Sequence, residues 1–184
     1  MDVYAAIHGR RTVHRYRDEP VADEVMARLL GAAHMAPNHK LTWPWRFTRV
    51  GAQTRREVLY PLGVRLKAKG REPSERLWEV MREKLVVPAE LVVVSVRRSD
   101  DAVRAREDYA AAACAIQNLL LAATAEGLGA KWSSGALTQH AETYAALGLD
   151  AAAEEIVGFI WVGVADEVPT IKRPPIEAHV RVVP

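Results

Sequence analysis

Three short segments of this 184-residue chain concentrate side chains that can do chemistry. The first is Arg10-Arg11-Thr12-Val13-His14-Arg15-Tyr16-Arg17, four arginines and a histidine within eight residues. Arginine presents a planar fork of donors that matches two phosphate oxygens at once, so the run suits one bound phosphate. It equally suits a solvated basic surface, the commoner fate of a charge run. Val13 and Tyr16 interrupt the cations with apolar groups, and Thr12 adds a hydroxyl, so both readings stand. The second segment, Ala36 to Phe47 (APNHKLTWPWRF), is a loop stiffened by two prolines and two tryptophans that carries Asn38, His39 and Lys40. Trp43 and Trp45 are either core anchors or the sides of a grip on a planar ring. The third, Gly127 to Leu137 (GLGAKWSSGAL), offers Ser133, Ser134 and Gly135 as donors toward ring heteroatoms or phosphate.

Other chemistries find no support. Gly127 and Gly129 begin a dinucleotide fingerprint, but Trp132 occupies the third glycine position and the motif follows a helix rather than a strand. No Gly-x-Ser-x-Gly surrounds Ser133 or Ser134, and there is neither a Walker loop nor His-Glu-x-x-His. The six histidines are scattered, so no metal site is expected. The single Cys114 excludes an internal disulfide scaffold and is expected to pack inside a helix. With no nucleophile, acid/base pair or metal ligand set, a bound cofactor is the economical source of reactivity, and no catalytic side chain is expected.

The elements that must position these segments follow from periodicity. Asp2 caps a short helix that Gly9 ends, and Asp23 caps a second that stops before Pro37. Trp45–Val50 reads as a half-buried strand, and Thr54–Lys69 and Glu75–Leu85 as polar helices. Leu91–Val96 and Ile156–Val164 are buried strands, with Glu154–Glu155 a solvated loop before the latter. Asp108–Gly127 is a long, alanine-rich helix capped at Gly127 and followed by a loop. A short helix spans Gln139–Leu147, and Ala178–Val183 a weak terminal strand. Helices arrive in pairs between strands, which favours an α+β layered sheet over an alternating doubly wound one.

Composition sets the frame. Hydrophobic residues make up 49% and charged residues 26%, which excludes a disordered chain, and no Pro/Gly/Ser linker divides it, so residues 1–184 read as one domain. The net charge of +2 gives no overall argument for nucleic acid or membrane. No secretory segment is visible and no apolar run is long enough to cross a bilayer, so a cytoplasmic protein is expected.

Taken together, the three segments resemble the flavin-dependent nitroreductase family. Its opening Arg-Arg-Ser-x-Arg-x-Phe is similar to Arg10–Tyr16, with Thr12 keeping the hydroxyl and His14 standing for an arginine. Its Ala-Pro-Ser/Asp…Pro-Trp-x-Phe resembles Ala36–Phe47, and its Gly-x-Gly-x-x-Trp-x-Ser-Gly resembles Gly127–Gly135. The likeness is strongest to the minimal-length NAD(P)H nitroreductases. It implies a homodimer of nitroreductase-like α+β fold that binds FMN and takes electrons from NADH or NADPH, reducing nitro compounds or quinone-like small molecules by a ping-pong mechanism. By position, Arg10, Arg11 and Thr12 would hold the FMN, with Lys172 or Arg173 as candidates for a further cation on its phosphate. Met35 and His39 would reach it from the second subunit, and Trp132, Ser133 and Ser134 would complete the site. Ala122, Ala123, Thr124, Ala125, Glu126 and Gly127 would meet the nicotinamide nucleotide. Two other readings remain: a flavoprotein of the same fold with non-nitro chemistry, such as a dehalogenase or a flavin-consuming enzyme, and a polyanion binder using Arg10–Arg17.

Overall fold

The computed structural model of the chain describes residues 1–183. Four strands form one antiparallel sheet in the order β1-β2-β4-β3: β1 is Trp45–Arg49, β2 Glu90–Arg97, β3 Gly129–Ser133 and β4 Glu154–Gly163. The two central strands are mostly apolar, with Ser95 the one polar residue buried between their ends, because both sheet faces are covered. On one face Val92, Val94 and Ile160 pack under α2 (Asp23–His34) and the long α6 (Ala102–Ala125), whose Leu29, Ile116 and Leu119 are fully buried. On the other, Leu91, Val93, Phe159 and Trp161 meet Leu59, Val64 and Leu85 from the helical layer α3 to α5. There α3 (Ala52–Thr54) runs through a π turn at Arg55–Leu59 into α4 (Tyr60–Ala68), and α5 is Glu75–Leu85. Each such buried aliphatic or aromatic side chain contributes about 1.5–3 kcal/mol relative to exposure. The α+β layered sheet with flanking helices is therefore what the pairing of helices between strands implies.

Local signals account for most boundaries. Asp2 accepts from the backbone N–H of Ala5 at the start of α1 (Val3–Gly9), and Gly127, at φ +77°, turns the chain out of α6. Five expectations need correction. Asp23 does not cap α2; it lies in the first turn, where its charge suits the helix dipole and pairs with Arg49 at 2.8 Å. The long helix starts six residues before Asp108, because Asp101 caps it through the N–H groups of Val103 and Arg104 and its first turns are polar. Glu154 and Glu155 belong to β4 rather than a loop, and Glu154 accepts from the buried Ser95 hydroxyl beside the register shift that leaves Val157 of β4 unpaired. The segment Gln139–Leu147 divides into α7 (Ala136–Gln139) and α8 (Ala141–Leu147) around His140, whose ring caps the second. Ala178–Val183 forms no strand; Ile176–His179 is a 3-10 turn and the rest is extended and exposed.

One further correction concerns the site: the segment after Gly127 is not a loop but the edge strand β3. Its Trp132 lies against β4 where Gly158 stands, and a Cβ at Gly158 would fall 2.1 Å from the indole Nε1. Gly158→Ala therefore forces Trp132 off its rotamer, at a cost of about 1–3 kcal/mol. Thermal unfolding of the variant is expected to show a Tm lower by several degrees, and an unchanged Tm would show that the indole is free to move.

Candidate active site

The site is assembled on β3. The arginine-rich segment does not wander over the surface; it runs along the free edge of β3. Thr12 bridges to Ala130, the Val13 N–H donates to the Ala130 carbonyl at 3.2 Å, and Tyr16 bridges to Ala165. Val13 and Tyr16 are buried beneath this seam, with the Tyr16 hydroxyl donating to the Val13 carbonyl, while His14 and Arg15 face solvent. The apolar positions within the arginine run are thus anchors that hold the cations in place.

Beside the seam, between the β3 edge and the helices of the second layer, lies a cavity of about 570 Å³. Thr12, Trp132, Ser133 and Ser134 all line it. Its walls are apolar, from Met81, Leu85, Phe159 and Trp161, and its charged groups are cationic: Lys67, Lys69, Lys84 and Lys131, with His14 at the margin. No aspartate or glutamate lines it among the described residues. Sequence reasoning missed these lysines. Lys131 was legible once β3 is seen as a strand, since period two puts residues 131 and 133 on the Phe159/Trp161 face. Burial, and then the charge of Lys84, hold the Lys131 ammonium below the ordinary lysine range.

The serines divide their work. Ser133 is already committed: its hydroxyl accepts from the Trp161 indole at 3.0 Å and donates to the Phe159 carbonyl at 3.4 Å. Ser134 is exposed at the cavity mouth. Next to it Gly135 adopts φ +137°, and nothing stands within 4 Å of where a Cβ would be, so the backbone there can be approached closely.

Arg10 and Arg11 lie outside the cavity lining, and they differ. Arg11 donates to the carbonyls of His8 at 2.6 Å and Arg10 at 2.9 Å, closing the end of α1. Arg10 is half-buried and has no acidic partner among the described residues; burial, then Arg173, then Arg11 lower its affinity for its proton. Of the two C-terminal candidates, Arg173 is thus the one that the structure brings to Arg10.

Met35 and His39 are not part of this cavity in their own chain. Met35 is exposed, and His39 stands 3.9 Å from Glu107 on the far side of α6. Their loop is strained: Lys40, Leu41 and Trp43 all have left-handed φ between 40° and 54°. Asn38 holds it by accepting the Trp43 N–H at 3.0 Å, and Thr42 by donating to the buried Asp108 carboxylate at 2.9 Å. Trp45 is a core anchor, whereas Trp43 is half-exposed. The stretch Ala122 to Gly127 closes α6 away from the cavity; Ala123 is buried and Glu126 pairs with Arg28. Cys114, expected inside, is exposed on the uncovered face of α6.

Comparison with known proteins agrees with this architecture. Residues 7–164 match the model of the nitroreductase family. The chain is similar to "Putative NAD(P)H nitroreductase YfhC" of Bacillus subtilis, with 35% identity over 170 residues, 91% of this chain and 86% of that protein. It is also similar to "5,6-dimethylbenzimidazole synthase" of Rhodospirillum rubrum, 34% identical over 142 residues, 71% and 67% of the two chains. Among solved structures, "a putative nitroreductase in complex with fmn" from Desulfovibrio desulfuricans superimposes with a TM-score of 0.78 at 29% identity, covering 100% of this chain and 98% of that one. The chain belongs to the nitroreductase family, and its activity is that of an oxidoreductase. No helix among the described residues is long and apolar enough to cross a membrane.

The Thr42–Asp108 contact tests how the strained loop is held. In Thr42→Val the carboxylate keeps its burial and loses its neutral donor, leaving Arg104 at 3.9 Å as its nearest cation. The expected loss is about 1–3 kcal/mol, with amide exchange accelerated in residues 36–44 but not in β2. Exchange unchanged in the loop would show that Asn38 alone suffices.

Proposed function

We propose that the cavity beside β3 binds the ring of FMN, that Arg10 and Arg173 hold its phosphate, and that the protein uses NADH or NADPH to reduce nitro compounds or quinone-like acceptors. The observation that carries this reading is the donor set. Arg10, at the start of the seam, and Arg173, close enough to act on its charge, have no acidic partner among the described residues, and an apolar-walled, cationic cavity with an open Gly135 backbone lies beside the seam. That combination fits a phosphate joined to a planar, carbonyl-rich ring. When bound, FMN supplies the two-electron chemistry, taking hydride from the nicotinamide and passing it to the acceptor. The chain's own residues bind and orient. Arg10 and Arg173 neutralise the phosphate, Trp132 and the Ser134–Gly135 backbone border the ring, and Lys84 and Lys131 set its electrostatic surroundings. The sides of the cavity exclude water from the reacting face.

The working form is a homodimer in this reading. One face of α6 is uncovered at Ala110, Cys114 and Gln117, and Tyr4, Met35, Leu41 and Trp43 expose apolar surface around it. The C-terminal segment adds exposed Val168, Ile171, Ile176 and Val180. A second copy would cover these and bring its own Met35 and His39 toward the flavin; obligate interfaces of this kind bury about 2,000 Å² or more. The nicotinamide nucleotide would pass the α6 end at Ala122 to Gly127. Similarity to the Rhodospirillum rubrum synthase favours a second reading, a same-fold flavoprotein with non-nitro chemistry, of which a flavin-consuming enzyme is one kind. Flavin absorbance that returns in full after repeated reduction and reoxidation supports the reductase; progressive loss supports the alternative.

Two outcomes test the assignment. The purified protein is expected to carry non-covalent FMN, and Arg10→Ala to weaken FMN binding about 10- to 150-fold, the loss of one charge-assisted contact of about 1.5–3 kcal/mol. Arg11→Ala, whose guanidinium is occupied with the end of α1, is expected to lower Tm more than FMN affinity. Equal flavin affinity in wild type and Arg10→Ala would overturn the phosphate site. Steady-state kinetics are expected to give parallel double-reciprocal lines with menadione or a nitroarene, because donor and acceptor must use one ring in turn. Intersecting lines would require a second site.

A further inference from the structure

A second cavity, of about 320 Å³, lies on the other side of α5 from the first. Arg82 of α5 and Val86 just after it line this cavity, whereas Met81, Lys84 and Leu85 line the first, so the end of the helix divides the two. The remaining lining is Asp18 beyond the seam, Arg56 in the π turn, Tyr60 at the start of α4, and Val87. The uncharged walls are held in place. The Tyr60 hydroxyl donates to the Trp78 carbonyl at 3.1 Å, and the two rings meet edge to face with centroids 5.3 Å apart. Arg55, buried in the π turn, donates to the carbonyls of Pro88 and Ala89, which ties down the chain that follows Val86 and Val87. Such π turns occur frequently at functional sites, and this one puts Arg56 and Tyr60 on one cleft.

Three charged side chains face the cleft, and none satisfies another. Among the described residues neither Asp18 nor Arg56 forms an ion pair, and Arg82 meets only its chain neighbour Glu83, at 3.4 Å. Elsewhere Arg49 and Arg65 close on carboxylates at 2.7 to 3.0 Å, so exposed arginines of this chain do pair where the geometry lets them meet. Opposite charges that line one cleft without meeting leave a gap for a bridging group. The cavity lies within the range of small-molecule sites, about 300–1,000 Å³. Two cations and one anion around it call for a small molecule with two anionic groups and one cationic group. We propose that this cleft binds an acidic amino acid, with its two carboxylates on Arg56 and Arg82 and its ammonium group on Asp18. The arginine fork matches a carboxylate bidentately, and Tyr60, Val86 and Val87 meet the methylene chain. This site is separate from the FMN reading and does not rest on it.

The test is isothermal titration of L-glutamate into the purified protein at neutral pH and low ionic strength, where exposed charges are least screened. Wild type is expected to bind one L-glutamate per chain, and to bind glutarate, which lacks the ammonium group, about tenfold more weakly. Arg56→Gln and Arg82→Gln, both at exposed positions, are each expected to weaken L-glutamate about tenfold with Tm unchanged. Asp18→Asn is expected to remove the preference for L-glutamate over glutarate while glutarate still binds. Lys69→Gln, in the first cavity, is expected to bind L-glutamate as wild type does. The inference is overturned by the absence of saturable binding of L-glutamate and L-aspartate, or by equal wild-type affinity for L-glutamate and glutarate. Binding that survives both arginine substitutions, or that falls in Lys69→Gln instead, overturns it as well, since the amino acid would then sit elsewhere. None of these outcomes bears on whether the first cavity holds FMN.

Discussion

The site depends on one seam, in which Thr12 and Val13 pair with Ala130 at the edge of β3 and Tyr16 with Ala165 just beyond β4. It requires Gly129, because a Cβ there would come within 3.0 Å of the Val13 side chain. It also requires Val13 and Tyr16 to be buried, which fixes the alternating positions toward solvent and the cavity. The seam protects a strand edge that would otherwise offer unpaired backbone groups. The same pairing sets Thr12 beside Ala130, so the cationic run and the Trp-Ser-Ser segment form two sides of one groove. Residues about 120 positions apart in sequence become one site through a single short stretch of backbone pairing.

That groove is electrostatically unbalanced. Arg10 faces Arg173, and Lys131 faces Lys84, with no acid to compensate either pair among the described residues. Elsewhere the chain pairs its charges: Arg28 with Glu126, Arg49 with Asp23 and Glu90, Arg65 with Glu142. Those exposed pairs contribute little, but they show that acids are available where cations need only be solvated. For a base whose folded pKa is lowered, as for Lys131, the unfolded chain holds more protons, so the charge opposes folding below the ordinary lysine range. The opposition fades as pH rises toward it. A stabilising anion would remove that penalty at neutral pH, so ligand binding and folding are linked through the same groups.

Much of this was legible in the sequence, and the remainder was hidden for physical reasons. Leu91–Val96 and the alanine-rich helix announce themselves because burial on both sides leaves few polar residues, Ser95 alone in the strand. Asp2 and Gly127 mark helix ends by their own chemistry. β3 stayed hidden because its five residues include Gly129, Lys131 and Ser133, whose types answer to the seam and the cavity instead of to a core. The weak strand expected over Ala178–Val183 failed because the chain there leaves the sheet, and its apolar residues stay exposed after the 3-10 turn Ile176–His179. Of the site, the motifs marked Thr12, Trp132, Ser133 and Ser134, but no motif marks Lys84 or Lys131, which meet only after α5 and β3 are brought together across the cavity.

The strained loop raises a separate point about where stability is spent. Left-handed backbone at Lys40, Leu41 and Trp43 costs of order 1–3 kcal/mol each, and the Asn38 and Thr42 contacts offset only part of it. Trp45 and Ala36 anchor the loop in the core at both ends. What the strain achieves is presentation: His39, Leu41 and Trp43 stand outward from the surface beside the uncovered face of α6. In the homodimer proposed above, that presentation would serve the contact with the second copy. The loop and the cavity would there be the two halves of one site, each chain supplying the cationic groove and receiving the other's loop.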